Sequence, residues 1–388
     1  MVNIIEKSFG LNLKLLNIMG LYSHGKSSIT LRIRAYTLYF VFLVLASVLI
    51  IVKTLMARSS NNVETNAMLI YVSDSTSFCF KLLPFLQNSD RMKRCINFFG
   101  QKKFAPKTDY ERRILDECVW VCRRNSIVFF YGLLLTIIGW TVPMLFVKGR
   151  KLPLMLWLPY DPSSTAVNYY FTFVYIVAVI ATVYDSYSGT IVDPLIGGLA
   201  YHATAQLKIL KYNLEHLDKN LEDNLIKSSE HIIEFQCVRE HLESCIDHHK
   251  QILWFINEYE ECFSWSIFCQ FAGSMFAVCF CYISLTLVPL NSVEALTYVG
   301  VICNISFQIL FYCYYGTLLD EENNDLSKAI YMGPWYKYDV EIRKNLLIIM
   351  ERSKRPLLIT AGKVIDVTVR TFVSVLKTSY SLIAVFNK

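Results

Sequence analysis

The chain has 388 residues, of which 54% are hydrophobic and only 18% are charged. A soluble protein usually carries about 25% charged residues and, at this length, divides into two or three domains. The composition therefore disfavours a soluble protein and favours one with long apolar segments. The formal net charge is +6, and we expect neither a nucleic-acid partner nor a cofactor. No catalytic constellation is visible in the sequence, so we also expect that the chain is not an enzyme.

Six apolar runs are long enough to cross a bilayer, because a hydrocarbon core of about 30 Å requires roughly 20 residues of α-helix. In chain order these runs are 36–55, 126–147, 167–184, 262–287, 293–315 and 367–386. A seventh run, 67–87, is less apolar because it contains Asp74 and Lys81. The alternating segments of about 10 residues that mark an outer-membrane barrel do not appear. We predict an all-α integral membrane protein with seven transmembrane helices.

The distribution of basic residues predicts the orientation, since cytosolic loops of membrane proteins are enriched in Lys and Arg. The N-terminal segment and the loops 88–125, 191–261 and 316–356 together contain 28 Lys and Arg residues, whereas the alternate segments contain 5. The N-terminus is therefore predicted to be cytosolic and the C-terminus extracellular. This topology is the reverse of that of G-protein-coupled receptors, and neither of their Asp-Arg-Tyr and Asn-Pro-x-x-Tyr motifs is present at the corresponding positions.

The cytosolic side is predicted to be large and helical. Apolar residues recur at three- and four-residue steps from 238 to 256, which is typical of an amphipathic helix that continues into the fifth span. A second amphipathic helix is predicted at 339–355, with one face formed by Ile342, Leu346, Leu347 and Met350. Because amphipathic helices in water need partners, we expect a cytosolic helical bundle that anchors the membrane part.

These elements divide the chain into four regions. The predicted regions are a cytosolic N-terminal segment at 1–35, transmembrane helices 1–6 with helical cytosolic loops at 36–315, a cytosolic anchor segment at 316–356, and the seventh helix with a short extracellular tail at 357–388.

The 12 cysteines do not predict the disulfide framework of a secreted protein, because most lie in spans or on the cytosolic side, where thiols stay reduced. His241, Cys245, His248 and His249 lie three or four residues apart on one predicted helix, a spacing that zinc ligands use. No second cluster of ligands is evident, however, and Cys245 and His249 also fit the apolar stripe of that helix. We therefore predict no metal site.

Polar residues inside the spans are candidates for function, since charges in a membrane pair with other groups or line water-filled paths. Asp74 and Lys81 lie on one face of the second span and are expected to pair with other helices, whereas Asp185 either does the same or lies near the headgroups. In the last span, one polar stripe contains Lys363, Asp366, Arg370, Ser374, Lys377 and Ser381. This stripe either lines an aqueous pathway or packs within the protein through paired charges.

The outer halves of spans two to six are rich in aromatic side chains and poor in charge. The candidate residues there are Tyr71, Ser75, Trp140, Thr141, Met144, Tyr169, Phe173, Tyr175, Phe276, Phe280 and Tyr298. An apolar pocket with a few hydroxyl groups suits a small, neutral, volatile ligand. Ordinary helix packing combined with an aromatic belt at the membrane interface would give the same composition, and the spacing alone does not decide between them.

The C-terminal part carries a series of short motifs in a fixed order. They are YMGPWY at 331–336, RS at 352–353, Pro356, TAGK at 360–363, TF at 371–372 and LKTSYS at 376–381. This order and spacing closely resembles the end of insect odorant receptors, and 237–263 is similar to their helix that leads into span five. The close match runs from about residue 237 to the C-terminus, while the rest agrees in length, span number and topology.

The resemblance implies a ligand-gated, nonselective cation channel, assembled as a tetramer from variable odorant-binding subunits and a shared co-receptor. It places the odorant pocket in the outer halves of helices two to six and the pore between the seventh helices. Aligned on Tyr380, the gate falls on Ile383 and Asn387, close to Phe386, and the polar Asn387 departs from a gate with two apolar rings. This face lies nearly opposite the polar stripe, which favours packing of the stripe within the subunit. Subunit contacts are expected to include Trp335, Tyr336, Arg352 and Pro356.

The chain resembles a variable subunit, because the co-receptor has a longer loop than 88–125 and the Thr-Tyr…Gln-Phe ending of gustatory receptors is absent. The implied partners are the co-receptor, a small volatile odorant and the lipid bilayer, in the plasma membrane of olfactory sensory neurons. The alternatives are a metabotropic chemoreceptor that couples to G proteins and a homomeric channel of the gustatory type. A secondary transporter would need inverted repeats, which the sequence does not show.

Overall fold

The computed structural model describes residues 4–23, 29–56, 62–87, 89–146, 152, 156–157, 168–217, 231–289 and 291–386. Within these ranges the backbone alone is described at 62–64, 140, 143–146, 168–169, 231–235, 293 and 379–386. The described helices, in chain order, are α1 Ile4–Ile18, α2 Ile29–Tyr39, α3 Ala46–Met56, α4 Asn62–Gln87, α5 Ser89–Ile96, α6 Asp109–Phe146, α7 Asn168–Thr190, α8 Val192–Glu215, α9 His231–Leu287, α10 Val293–Met332, α11 Val340–Ser353 and α12 Val369–Phe386. A π-helical turn, Phe40–Leu45, joins α2 to α3.

Short elements complete the described fold. The two strands β1, Thr360–Ala361, and β2, Ile365–Asp366, form an antiparallel hairpin. Single 3₁₀ turns occur at Phe98–Gly100, Lys102–Phe104 and Trp335–Lys337.

Helices of membrane-spanning length dominate the structure. Five described stretches are both long and apolar enough to cross a membrane, namely Ile29–Met56, Asp109–Gly139, Tyr170–Glu215, Gln236–Leu287 and Glu294–Met332. They overlap the predicted spans one, three, four, five and six, and α4 and α12 correspond to spans two and seven. The predicted all-α membrane architecture is therefore confirmed.

The outward surface of these helices is apolar. Leu135 on α6 is 70% exposed, Phe173 on α7 66% and Leu296 on α10 72%. Large apolar side chains exposed along several helices indicate contact with lipid rather than water.

Helix α9 is a single helix of 57 residues. At 1.5 Å per residue it is about 85 Å long, which exceeds a hydrocarbon core of about 30 Å. The helix therefore extends well beyond the bilayer, as the apolar pattern predicts. Val238, Leu242, Cys245 and Ile256 of that pattern are all buried, so the interpretation of 238–256 as an amphipathic helix is confirmed.

Helix α11 confirms the second amphipathic prediction in part. Its N-terminus is capped by the side chain of Asp339, which accepts a hydrogen bond from Val340 N. Ile342 and Leu346 are buried, but Leu347 is 53% exposed and was assigned to the wrong face. Ile349 takes its place in the core, because it lies three residues after Leu346 on the same side of the helix.

Helix α1 is part of the core, although 1–35 was predicted only as a cytosolic segment. Phe9 is fully buried and Leu13 is 2% exposed. The amide nitrogen Nδ2 of Asn12 donates a 2.8 Å hydrogen bond to the carbonyl oxygen of Ile191, between α7 and α8. Helix α1 is thus fixed against the neighbouring helices by both apolar and polar contacts.

The last helix, α12, begins after the first two residues of the predicted polar stripe, Lys363 and Asp366. Lys363 has a φ of 59° and lies in the turn of the β1–β2 hairpin, next to Gly362 with a φ of 62°. Asp366 pairs with Thr360 in the hairpin, and α12 begins only at Val369. Lys363 and Asp366 therefore do not lie on the helix, and the prediction of one continuous helical stripe from 363 to 381 was wrong. Two consecutive residues with positive φ are compatible with a turn but not with a helix.

Candidate functional site

A cavity lies between helices α4, α6, α7, α9 and α10. Its volume is about 130 Å³. The residues that line it are Ala67, Ile70, Tyr71, Asp74, Phe78, Leu133, Thr136, Ile137, Thr182, Ser186, Thr190, Cys281, Tyr298, Val301, Asn304, Ile305 and Gln308. These helices carry the predicted spans two to six, the same set from which the sequence analysis drew its pocket.

The lining combines apolar side chains with several polar groups. Ile70, Phe78 and Val301 supply apolar surface, while Asn304 and Gln308 supply amide groups and Asp74 supplies a carboxyl group. Such a wall can exclude water from a small apolar molecule and still orient it through one or two hydrogen bonds.

The residues predicted for the pocket fall into three groups. Tyr71 and Tyr298 line the cavity. Ser75, Thr141, Phe173, Tyr175, Phe276 and Phe280 lie outside its lining. The side chains of Trp140, Met144 and Tyr169 are outside the described residues. Phe173 and Phe276 are 66% and 60% exposed and point away from the bundle, which a pattern of aromatic residues alone does not reveal.

Ser75 belongs to a polar cluster between α3, α4 and α7. Its Oγ lies 2.7 Å from Ser47 Oγ and donates a 3.3 Å hydrogen bond to Asp185 Oδ1. Asp185 thus bonds to another helix, which was one of its two predicted roles. Tyr175 OH donates to the carbonyl oxygen of Thr141 at 3.0 Å and joins α7 to α6.

A series of buried, hydrogen-bonded polar groups extends from the cavity. Gln308, in its wall, accepts a 3.0 Å hydrogen bond from Gln270 Nε2. Gln270 Oε1 accepts a 2.9 Å bond from Lys81 Nζ, and Lys81 forms an ion pair with Asp193. Tyr312 OH also donates to Asp193. The predicted pairing of Lys81 with another helix is therefore confirmed.

The other members of this hydrogen-bonded series were not predicted from the sequence. Gln270 is the one amide side chain in the apolar run 262–287, Gln308 follows Asn304 in the run 293–315, and both glutamines are less than 5% exposed. An amide within an apolar run needs a buried partner, so their position was the signal that could have identified them.

The residues predicted for the subunit contacts lie at 335–356, and those predicted for the gate lie near the C-terminus, at 380–387. The side chains of Tyr380, Ile383 and Phe386 and the whole of Asn387 are outside the described residues. Tyr336 is 63% exposed and Pro356 is exposed, while Arg352 is partly buried. Trp335 is partly buried and donates from Nε1 to the carbonyl oxygen of Tyr331 at 3.2 Å.

The histidines weighed as metal ligands have other roles in the structure. His248 Nε2 lies 2.9 Å from Gln206 Oε1, and Cys245 and His249 are buried in the bundle. In the described part of the chain, a different group brings three candidate ligands together, Cys118, Cys122 and His202. This group was not found from the sequence because its members lie on two helices that are far apart in the chain.

Comparison with known proteins identifies the family and agrees with the fold. The family model of the 7tm odorant receptors matches residues 61–380. The chain belongs to this family. The resemblance to insect odorant receptors found in the sequence is therefore confirmed, and, as a member of a receptor family, the chain is not an enzyme.

Its relatives are distant but extend over most of the receptor. Odorant receptor Or1 of Anopheles gambiae is 22% identical over 341 residues, which cover 83% of this chain and 80% of that protein. Odorant receptor 85b of Drosophila melanogaster is 25% identical, and the alignment covers 71% of this chain and 70% of that protein. The structure of olfactory receptor OR5 from Machilis hrabei superposes with a TM-score of 0.80 at 16% identity and covers 98% of both chains. That receptor also has a structure in complex with eugenol, with the same TM-score of 0.80.

Proposed function

We propose that this receptor binds a small volatile molecule in the α4–α10 cavity and gates a nonselective cation channel together with a shared co-receptor. In this proposal it is a variable subunit in the plasma membrane of olfactory sensory neurons. Its N-terminus is cytosolic and its C-terminus extracellular, as the excess of 28 over 5 basic residues predicts.

The cavity is the observation that carries the proposal. An engineered protein cavity of about 150 Å³ that is lined by apolar side chains binds benzene, so a volume of about 130 Å³ suits a molecule of about one aromatic ring. The solved complex of Machilis hrabei OR5 with eugenol supports a ligand of this size class for the fold.

Helix α10 contacts both this cavity and α12, so a movement of the helix at the cavity can be transmitted to α12. Tyr298 and Asn304 line the cavity near the start of the helix. Further along α10, Thr317 Oγ1 accepts a 2.9 Å hydrogen bond from Val369 N, the first residue of α12. A ligand that binds better when α10 is shifted would therefore move α12, and its differential affinity would change the population of open channels. In this mechanism Ile383 and Asn387 form the constriction that widens and admits water.

An exposed apolar surface at the base of the molecule supports assembly with other subunits. Met332 is 84% exposed, Leu347 53% and Ile348 66%, all on the cytosolic side of the predicted topology. Together with Trp335, Tyr336, Arg352 and Pro356, this surface is where we place the contact with the co-receptor and with other copies. Apolar patches of this kind on a water-facing surface indicate a protein partner.

Whole-cell recording tests the proposal. The chain is expressed with and without a co-receptor and exposed to a panel of volatile molecules of one or two rings. Cation current that requires both subunits supports a variable subunit in a heteromeric channel. Current from the chain alone would replace this proposal by a homomeric channel, and a response only through G proteins would replace it by a metabotropic receptor. Tags on both termini, tested for accessibility in intact cells, check the orientation, and an extracellular N-terminus would contradict it.

A further inference from the structure

Two cysteines and a histidine meet in the core beneath the membrane spans. Cys118 and Cys122 lie one turn apart on α6, and His202 lies on α8. Their two Sγ atoms and one ring nitrogen are within 4.8 Å of one another, and no residue of the three is more than 1% exposed. In a tetrahedral zinc site, two thiolates at about 2.3 Å from the ion are about 3.8 Å apart, so small side-chain movements bring these ligands to coordination distance.

The hydrogen bonds of the histidine leave one of its ring nitrogens available to a metal ion. His202 Nε2 lies 2.9 Å from Ser8 Oγ, and Ser8 Oγ donates its own hydrogen to the carbonyl oxygen of Ile4 at 2.9 Å. The Ser8 oxygen can therefore only accept from His202, which fixes the proton on Nε2 and leaves Nδ1 with a free lone pair. Among the described residues, Nδ1 is buried without a hydrogen-bond partner. A second hydrogen bond that fixes the tautomer of a ligating imidazole is a regular feature of metal sites.

We propose that Cys118, Cys122 and His202 bind a Zn²⁺ ion. Thiolate and imidazole are the ligands that zinc prefers, and a water molecule would complete a tetrahedron around three protein ligands. Two thiolates, one neutral imidazole and a divalent ion sum to zero charge, which suits a fully buried site. A monovalent soft ion such as Cu⁺ would leave a buried negative charge on the same ligands.

The ion would connect three helices of the cytosolic core. Its ligands come from α6 and α8, and Ser8 on α1 holds the imidazole in place. The ring of Phe9, also on α1, lies 5.6 Å from the ring of His202. The site would thus fasten α1 to the bundle, and this assignment does not depend on which ligand the receptor detects.

A second pair of buried cysteines provides a matched control. Cys95 on α5 and Cys262 on α9 are 3% and 4% exposed, and their thiols also contact each other. In the described part of the chain, this pair belongs to no group of three candidate ligands. Replacing both with serine therefore removes the same number of buried thiols without removing a metal site.

The test uses the full-length chain, purified in detergent and dialysed against a weak chelator. Metal analysis should give about one zinc ion per chain for the wild type and the C95S/C262S variant, and a loss of that zinc in the C118S/C122S variant. A strong chelator should lower the unfolding midpoint of the wild type and leave that of C118S/C122S unchanged. Zinc retained by C118S/C122S, or no zinc in the wild type, would overturn the proposal.

Cobalt replaces zinc in a test that needs no variant. Co²⁺ added to the metal-free wild type should give visible bands of a tetrahedral ion and a near-ultraviolet thiolate-to-metal band. This result would support the proposal even if the serine variant failed to fold. A spectrum without the thiolate band would contradict it. Detection of a disulfide between Cys118 and Cys122 by thiol counting under non-reducing conditions would contradict it as well.

Discussion

Lys81 on α4 and Asp193 on α8 form an ion pair in which both side chains are completely buried. Gln270 accepts a hydrogen bond from Lys81, and Tyr312 donates one to Oδ1 of Asp193, whereas Oδ2 of Asp193 is buried without a hydrogen-bond partner among the described residues. The pair connects two helices, and through Gln270 and Gln308 it reaches the wall of the cavity. Removal of one charge would leave the other buried and uncompensated, which is more costly than removal of both.

Lys81→Met should therefore destabilise the receptor by about 3–5 kcal/mol, whereas Lys81→Met combined with Asp193→Leu should recover a large part of that loss. Unfolding of the purified chain in detergent, followed by heat or denaturant, measures the difference. Lys363→Met is the control, because its ion pair with Glu261 is exposed and should contribute little. A double variant that is less stable than Lys81→Met alone would contradict this account.

The features that the sequence predicted correctly are those that depend on the residue pattern along a single helix. The run lengths identified the spans, and the apolar steps from 238 to 256 identified the long amphipathic helix α9. Contacts between distant helices were not predictable in the same way. Asp193 gives no signal by itself. Gln270 and Gln308 require buried partners, but only the fold shows that they connect Lys81 to the cavity.

The same limit explains the errors. The spacing of polar residues from 363 to 381 fits a helix, but it carries no information on backbone conformation. The sequence TAGK instead forms a hairpin turn, because Gly362 and Lys363 both adopt positive φ. Aromatic residues of the spans were assigned to the pocket by depth, yet lipid-facing and pocket-facing positions alternate at each depth. Phe173 and Tyr71 therefore had the same signature, although only Tyr71 lines the cavity.

A larger side chain in the cavity should block the ligand. Val301 lines the cavity, and Val301→Phe would occupy part of its volume of about 130 Å³. We expect a loss of odorant potency of roughly tenfold or more, equivalent to about 1.4 kcal/mol of binding free energy. Val299→Phe is the matched control, since Val299 lies two residues away on α10 and is 45% exposed. Dose–response recordings with surface labelling measure both variants, and an equal effect of the two would place the ligand elsewhere.

Two glycines of α10 differ in their surroundings and should respond oppositely to alanine. A Cβ at Gly316 would lie 2.1 Å from the carbonyl oxygen of Val367, just before α12. Gly316→Ala must therefore displace backbone, and we expect a loss of about 1–3 kcal/mol in unfolding free energy. A Cβ at Gly300 has no described atom within 4 Å, so Gly300→Ala should be neutral or stabilising by up to about 1 kcal/mol. Thermal unfolding of both variants tests the close approach of α10 to the segment before α12. Equal changes in unfolding free energy for the two variants would contradict it.

Ser264 on α9 holds the hairpin that precedes α12. Its Oγ donates a 2.7 Å hydrogen bond to the carbonyl oxygen of Thr360 and accepts a 3.1 Å bond from Lys363 N. The side chain of Ser264 is 4% exposed, so water cannot easily replace these bonds. Ser264→Ala should weaken the attachment of the hairpin by about 1–3 kcal/mol, because it removes both bonds and leaves the carbonyl oxygen of Thr360 and the N–H of Lys363 without this partner.

Hydrogen exchange can detect this loss locally. Amides in 357–368 should exchange about tenfold faster or more in Ser264→Ala, since each 1.4 kcal/mol corresponds to a factor of ten in the opening equilibrium. Amides of α8 should keep their rates, because the hairpin is held mainly by α9. Ser374→Ala is the control, since Ser374 is exposed on α12. Faster exchange throughout the molecule would instead indicate global destabilisation, and unchanged exchange in 357–368 would mean that Ser264 does not hold the hairpin. A hairpin that loosens alone, with a shifted odorant dose–response curve, would connect the attachment of α12 to α9 with gating.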